Sequence, residues 1–225
     1  MRSIDLTHKI TEQMPVFPGS APPDLHKVCS LERDGFRETL LSLHSHTGTH
    51  MDAPAHLLPR GKTLDQMPIE QFVGPGLLVD CQNIPEGGVI GMDRLSLYDG
   101  ALNLAQFVLF YTGWDKHWGK PSYYGSFPVP DPVVLRHLAA LGKKGVGTDA
   151  PSIDPIGADP LACHKIALEA QMVILENLAN LSDLCQSVFT LLALPLHYEG
   201  ADGAPARVLA FEDDVAHSLF YDLIV

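Results

Sequence analysis

Four histidines and one aspartate fall within thirteen consecutive residues, HSHTGTHMDAPAH at positions 44–56, although the chain of 225 residues has only 11 histidines. Neutral imidazoles and ionised carboxylates are the ligands of zinc and similar ions, and about three protein ligands with one open position form a catalytic site. The spacing His46-x3-His50-x-Asp52-x3-His56 therefore predicts a metal site. The alternative interpretation is a surface loop in which each histidine makes its own hydrogen bonds.

The backbone around this cluster favours convergence of its side chains. In an extended segment, His50 and Asp52 project to the same side because they are two positions apart. Gly48 permits a sharp bend that can swing His46 back toward them. The cluster follows the apolar run LLSL, so it lies where a strand ends. Ligands from this single loop would hold one ion.

Two residues more than a hundred positions further along the chain could add to the site. His164 lies in a predicted helix and Glu176 closes the apolar run QMVILE, where an unpaired charge is costly. A carboxylate at the end of a buried strand usually faces a cation, which makes Glu176 the stronger candidate. The alternative is a strand-end glutamate that faces water.

The elements that must position these residues are short apolar strands and two helices. Helices are predicted over 131–142 and 158–170, because each begins with an Asp-Pro pair in which Asp131 or Asp159 serves as the N-cap. Five apolar runs with β-branched or aromatic residues are predicted as buried strands. They lie at 38–43, 76–81, 106–112, 171–176 and 206–212.

This order of elements predicts an α/β fold with a mixed sheet flanked by helices, in one domain spanning residues 1–225. A net charge of −12 argues against a nucleic-acid partner, which would require basic residues to neutralise phosphates. The four cysteines form no CxxC pair, so a structural zinc knot is not expected. A reducing, cytoplasmic setting is expected. No apolar run approaches the roughly 18 residues of a membrane span.

Several blocks resemble a known family. The segment HTGTHMDAPAH (46–56) resembles the signature of the metal-dependent cyclase/hydrolase family that includes bacterial kynurenine formamidase and isatin hydrolase. Six blocks in the expected order are far more specific than the histidine motif alone. The other five are MPVFPG (14–19), TGWDKHWG (112–119), GTDAPSIDP (147–155), LENLANL (175–181) and LPLHYEGADGAPARVLAF (194–211).

The resemblance implies a site with two metal ions, usually zinc, although manganese suits the same ligands. It implies that Asp52 bridges the two ions and that His56 is the catalytic histidine. It also implies a compact α/β domain with a mixed sheet of the swivelling β/β/α kind, and a homodimer or homotetramer. The ligands carried over from the family are His46, His50, Asp52, His164 and Glu176.

The resemblance further implies hydrolysis of a formamide or cyclic amide of an aromatic amine by a metal-activated water, as in an arylformamidase of tryptophan catabolism. Isatin hydrolase-like activity, a polyketide-type cyclase and a non-catalytic metal-binding protein remain alternatives.

Departures from the family pattern leave the ligands intact and the substrate open. The N-terminal loop reads FPGS at 17–20 where formamidases carry Trp and then Pro-Gly-Asp, Tyr111 stands where Arg is frequent, and His197 replaces a common Lys. The loop after Tyr124 also lacks the usual Pro-Gly-Leu. Aromatic residues that could line the substrate pocket are Phe17, Trp114, Tyr123, Tyr124 and Phe127.

Overall fold

One mixed β-sheet organises the chain, of which a computed structural model describes residues 1–212. The single-domain prediction for 1–225 extends to residues 213–225, which lie outside the described residues. Within residues 1–212 the strands are β1 (Arg2–Asp5), β2 (Asp24–Cys29), β3 (Glu38–Ser42), β4 (His50–Asp52), β5 (Val73–Asp80), β6 (Val89–Ile90), β7 (Phe107–Tyr111), β8 (Val129–Pro130), β9 (Gly145–Thr148), β10 (Val173–Glu176), β11 (Val188–Pro195) and β12 (Gly203–Glu212).

The main sheet has eight strands in the order β1-β12-β11-β5-β7-β9-β10-β4. Because β4 also pairs with β12, the sheet closes on itself like a barrel, with β1 outside the closed ring. Strands β5, β7, β9 and β10 are parallel, whereas β4, β11 and β12 pair in antiparallel fashion. The predicted mixed sheet is thus confirmed. The carboxyl ends of the four parallel strands meet at one edge, the usual place for a site in such sheets.

The longer helices pack against the outer face of this sheet. The helices of residues 1–212 are α1 (Leu31–Asp34), α2 (Met92–Leu95), α3 (Asp99–Leu104), α4 (Pro132–Ala140) and α5 (Ala162–Glu169), together with short 3₁₀ turns. None of them has the length and apolar character that crossing a bilayer requires.

Side-chain alternation along the strands supplies two apolar cores. On β5, Leu78 points into the barrel, whereas Leu77 and Val79 point outward. The outward side chains pack with Leu135 of α4 and Leu168 of α5. Burial of each such side chain contributes about 1.5–3 kcal/mol. The two cores hold the sheet rigid, so its edge can position ligands accurately.

Four of the five predicted strands are confirmed as buried elements, with boundaries that shift by a few residues. The fifth prediction, a buried strand at 38–43, is wrong about burial. Strand β3 forms, but within residues 1–212 it pairs only with β2, in a two-stranded hairpin outside the main sheet. Leu40 and Leu41 are each 59% exposed there. Apolar composition alone could not distinguish this hairpin from a strand of the core.

One of the two predicted helix caps is also wrong. Asp131 caps α4 as predicted, since its Oδ1 accepts a hydrogen bond from Val133 N at 2.7 Å. Helix α5, by contrast, begins after Leu161, and Asp159 makes no cap. In its first turn, the backbone amides of Cys163 and His164 donate instead to Asp154.

Candidate active site

Strand pairing brings the histidine cluster against Glu176. Strand β4 lies between β10 and β12, and its His50 is paired with Glu176 in the antiparallel register. Because side chains alternate along a strand, His50 and Asp52 face the site while Met51 points into the barrel core with no exposed surface. The prediction that His50 and Asp52 project to the same side is therefore confirmed.

All five predicted ligands converge around Asp52. Its Oδ1 lies 2.7 Å from His46 Nδ1 and 3.3 Å from His50 Nε2, and its Oδ2 lies 3.6 Å from His164 Nε2. Glu176 completes the cluster, with Oε2 3.6 Å from His50 Nε2 and Oε1 3.2 Å from His164 Nε2. The structure places the residues together, with Asp52 at the centre, but their roles as metal ligands remain a prediction.

Backbone and side-chain acceptors fix the orientation of the two buried imidazoles. His50 Nδ1 lies 2.8 Å from the carbonyl oxygen of Gly48. Because a carbonyl only accepts, Nδ1 must carry the proton. Gly48 has a φ of 66°, a left-handed conformation that glycine adopts readily, and this bend turns its carbonyl toward the ring. The other nitrogen, Nε2, is thereby left to face the carboxylates.

His164 is oriented in the same way by a carboxylate. Asp154 Oδ2 lies 2.8 Å from His164 Nδ1 and also accepts the His164 amide at 2.9 Å, while Oδ1 accepts the Cys163 amide at 3.0 Å. Asp154 thus caps α5 and also selects the His164 tautomer in which Nδ1 carries the proton. A carboxylate on the far nitrogen of a ligating histidine is the usual arrangement around metals.

The cluster fits a divalent metal by the chemistry of its donors. His50, Asp52, His164 and Glu176 are all buried, and Asp52 is 1% exposed. Unprotonated Nε2 atoms and carboxylate oxygens repel one another at these distances unless positive charge lies between them. Protons or a metal ion must supply that charge. A set of imidazole nitrogens and carboxylate oxygens suits zinc or manganese.

The pKa values reflect this concentration of charge. Burial alone would raise the pKa of Asp52, but hydrogen bonds with His164, His46 and His50 hold it well below its ordinary value. Burial opposes a charge on His164, yet Asp154, Asp52 and Glu176 raise its pKa well above the ordinary value. The carboxylates therefore favour positive charge among these imidazoles.

His46 lies at the outer edge of the cluster, between two carboxylates. Its Nδ1 faces Asp52, and its Nε2 lies 3.1 Å from Asp202 Oδ2. Burial opposes the charged form, but both carboxylates raise the pKa of His46 to about 9. The ring lies close to Gly203, where a Cβ would come within 2.5 Å of His46 Cε1. A side chain at position 203 would displace the ring.

His56 lies beside the predicted ligands without a hydrogen bond to them. Its ring centroid is 4.2 Å from that of His46 and 6.4 Å from that of His164. Its Nδ1 is 3.9 Å from Asp202 Oδ2. Burial lowers the pKa of His56 below its ordinary value. The position is compatible with the predicted catalytic role, which the geometry alone leaves as a prediction.

A cavity of about 370 Å³ opens onto this cluster. One wall is apolar and includes Phe17 and Tyr124, whose rings meet edge to face at 6.2 Å, and Ile156 and Leu161. Two of the five aromatic residues considered as pocket walls therefore line the cavity. The other three, Trp114, Tyr123 and Phe127, form a buried cluster behind it.

Three polar residues of the site were not singled out by sequence reasoning. They are Asp154, which orients His164; Asp202, which faces His46; and Asn177, which contacts Gly48 O and lines the cavity. Each falls inside a block that resembles the family, but their partners lie between 10 and 156 positions away. The only local signal in the sequence was that Asn177 directly follows Glu176, a predicted ligand.

Comparison with known proteins agrees with the fold and the site. The sequence model described as "Putative cyclase" matches residues 4–155. A kynurenine formamidase of Salinibacter ruber is 33% identical over 93% of this chain and 97% of its own length. One of Geobacillus thermodenitrificans is 31% identical over 91% and 94%, respectively.

Solved structures are similar over nearly the whole chain. Isatin hydrolase A from Ralstonia solanacearum has a TM-score of 0.82 and 26% identity, covering 94% of this chain and 92% of its own. A structure described as a potential metal-dependent hydrolase with cyclase activity has a TM-score of 0.77 and 30% identity, with coverage of 95% and 98%.

Fold, sequence and site thus define this protein as a hydrolase of the metal-dependent class. The chain belongs to the putative cyclase family. The family resemblance and the fold predicted from sequence are both confirmed.

Proposed function

We propose that this protein hydrolyses the formamide or cyclic amide of an aromatic amine, with two zinc ions in the site. The observation that carries the proposal is the convergence of three imidazoles on the two oxygens of Asp52. The names of the relatives support the reaction class, since the curated proteins are kynurenine formamidases and two similar structures are isatin hydrolases. Both names describe hydrolysis of an amide on an aromatic ring.

Five residues of this chain would hold the ions. His46, His50 and Asp52 would bind the first, and Asp52, His164 and Glu176 the second. When bound, zinc supplies a Lewis acid and lowers the pKa of a water from about 15.7 to about 7. Gly48 O and Asp154 would keep the two buried imidazoles in the ligating tautomer.

His56 is suited to move the proton of the reaction. Its Nδ1 faces Asp202, so its Nε2 is the nitrogen that can take a proton from the attacking water. The water oxygen bonds to the amide carbon, the C–N bond breaks, and His56 returns the proton to the leaving nitrogen. The products are a carboxylic acid and an arylamine, in one molecule when the amide is cyclic. An imidazole can accept and donate near neutral pH.

The apolar wall selects for an aromatic substrate. Phe17 and Tyr124 present ring faces and edges that pack well against another aromatic ring, with ring centroids usually 4.5–7 Å apart. Pro15, Val16 and Ile156 continue this wall. An aryl leaving group also eases C–N cleavage, because its nitrogen is weakly basic.

The test combines metal analysis with a substrate panel. The purified protein should contain zinc, and it should hydrolyse at least one of formanilide, N-formylkynurenine and isatin. Removal of the metal with a chelator should abolish turnover, and zinc should restore it. A protein that binds zinc but cleaves none of these amides would favour the non-catalytic or cyclase alternatives. Failure to bind any divalent ion would overturn the proposal.

We further propose that the protein is a cytoplasmic homo-oligomer, a homodimer or homotetramer, that serves tryptophan catabolism. The β2–β3 hairpin supports self-association, because Phe36, Leu40 and Leu41 are more than half exposed and an isolated hairpin is marginally stable in water. The four cysteines are free thiols, which suits a reducing compartment. Light scattering should give a mass above one chain, and replacing Leu40 and Leu41 by serine should reduce it to a monomer. A monomeric wild-type protein would contradict the oligomer.

A further inference from the structure

A buried tyrosine is linked through three successive hydrogen bonds to His50, one of the proposed ligands. Tyr123 has no exposed surface, and its hydroxyl donates to Asn177 Oδ1 at 2.7 Å. Asn177 directly follows Glu176 and has a φ of 56°, a left-handed conformation that few residue types adopt. Thr49 Oγ1 donates to the Asn177 carbonyl at 2.6 Å and ties this strained residue to the histidine loop.

The tyrosine hydroxyl determines which way the asparagine amide points. Because Asn177 Oδ1 accepts from Tyr123, the amide nitrogen must point away from the hydroxyl. Nδ2 donates to the carbonyl oxygen of Gly48 at 2.9 Å. The same oxygen accepts from His50 Nδ1 at 2.8 Å. Both lone pairs of the Gly48 carbonyl are therefore used, and its position is fixed by two donors.

His50 has two possible partners for Nδ1, and the distances decide between them. An unprotonated Nδ1 could accept from Asn177 Nδ2, but that separation is 3.3 Å, whereas the Gly48 carbonyl is at 2.8 Å. If His50 Nδ1 were unprotonated, its 2.8 Å contact with the Gly48 carbonyl oxygen would join two acceptors, so Nδ1 carries the proton. The Asn177 amide holds the carbonyl in that place, so the arrangement favours the tautomer with Nε2 unprotonated.

We infer that Tyr123 and Asn177 are positioning residues, which hold His50 in the tautomer that binds metal through Nε2. This inference rests on the proposed metal site and extends it to the buried aromatic cluster. Trp114 Nε1 donates to the Tyr123 carbonyl at 2.8 Å and so anchors the tyrosine. The next residue, Tyr124, lines the cavity. One segment therefore both shapes the substrate wall and orients a ligand.

Two variants test the inference, and zinc affinity is the first readout. Tyr123→Phe removes one hydroxyl and keeps the packed ring. We expect it to weaken zinc binding, measured by chelator competition, by about 3- to 10-fold, the effect of one ordinary hydrogen bond. Asn177→Gly keeps the left-handed backbone and removes the amide. We expect it to weaken binding by about 10- to 100-fold, as for other residues behind a ligand.

A matched control removes a tyrosine hydroxyl elsewhere. Tyr98 accepts a hydrogen bond from Asp80 N at 3.1 Å, and neither residue lines the cavity. Tyr98→Phe should bind zinc as the wild-type protein does. If it weakened zinc binding as much as Tyr123→Phe, the effect would reflect general destabilisation, and the inference would be overturned.

The second readout is the protonation of His50 in zinc-loaded protein labelled with ¹⁵N in histidine. We expect a protonated Nδ1 and a metal-bound Nε2 in the wild type, and faster exchange of the Nδ1 proton in both variants. Unchanged zinc affinity and exchange in both would overturn the inference and leave the proposed function intact. A wild-type protein that binds no zinc would instead overturn the proposed function, and the inference with it.

Discussion

Replacing His56 by alanine separates proton transfer from metal binding. His56 makes no hydrogen bond to the five proposed ligands among the described residues, and its nearest carboxylate is Asp202 at 3.9 Å. The imidazole is partly exposed, with 28% of its side-chain surface accessible, and it makes no hydrogen bond within residues 1–212, so truncation leaves none of those residues without a hydrogen-bond partner. We therefore expect zinc content and folding to stay close to wild type.

Turnover should fall sharply in the same variant. A positioned general acid–base group contributes about 10²- to 10⁴-fold, which corresponds to about 3–5.5 kcal/mol of transition-state stabilisation. The assay measures kcat/KM on whichever amide the wild-type protein cleaves, alongside zinc content in the same sample. His44→Ala is the matched control, because His44 also lines the cavity but lies outside the ligand cluster, and it should keep most of the turnover. Wild-type activity in His56→Ala would remove His56 from the mechanism, and loss of zinc would make it a ligand.

Three further predictions concern the ligands and the pH dependence of stability. Asp52→Ala should lower the occupancy of both ions in metal analysis, because Asp52 contacts all three imidazoles; loss of one ion would show that it does not bridge. Asp154→Ala should weaken zinc binding by about 10- to 100-fold, and an unchanged affinity would contradict its role in orienting His164. Burial lowers the pKa of His8 to about 4 from an ordinary 6.5, so its contribution to stability is present above pH 6.5 and is lost as pH falls toward 4. His8→Phe keeps an aromatic ring stacked on Trp118 but carries no titratable group. Its free energy of unfolding, measured with denaturant, should therefore fall less than that of the wild type between pH 6.5 and pH 4. A pH profile identical to that of the wild type would refute this prediction.

The sequence supported prediction of the elements that obey local rules. Side-chain alternation placed His50 and Asp52 on one side, and the Asp-Pro start predicted α4 with its cap at Asp131. The same local rules failed at α5, where Asp154 caps the helix from outside the segment. They failed again at β3, because exposure depends on which strand a segment pairs with, and pairing is a property of the whole sheet.

Sequence reasoning named all five candidate ligands, but joining them in one site required the family resemblance, and the structure explains why. His50 and Glu176 are 126 positions apart, yet they are directly opposed in the register of β4 and β10. No periodicity in either segment specifies that pairing. The residues that contact the proposed ligands are still harder to predict, because Asp154, Asn177 and Asp202 act through atoms whose positions depend on the closed barrel.

Closure of the barrel is therefore what makes the site possible. Strand β4 has only three residues, and it pairs with β10 on one side and β12 on the other. The first pairing brings Glu176 to His50, and the second brings Asp202 and Gly203 to His46. A short strand held on both edges cannot slip by one residue without moving its side chains to the opposite face. The proposed ligands are thus positioned by backbone pairing, and the same pairing sets the distance from His56 to Asp202.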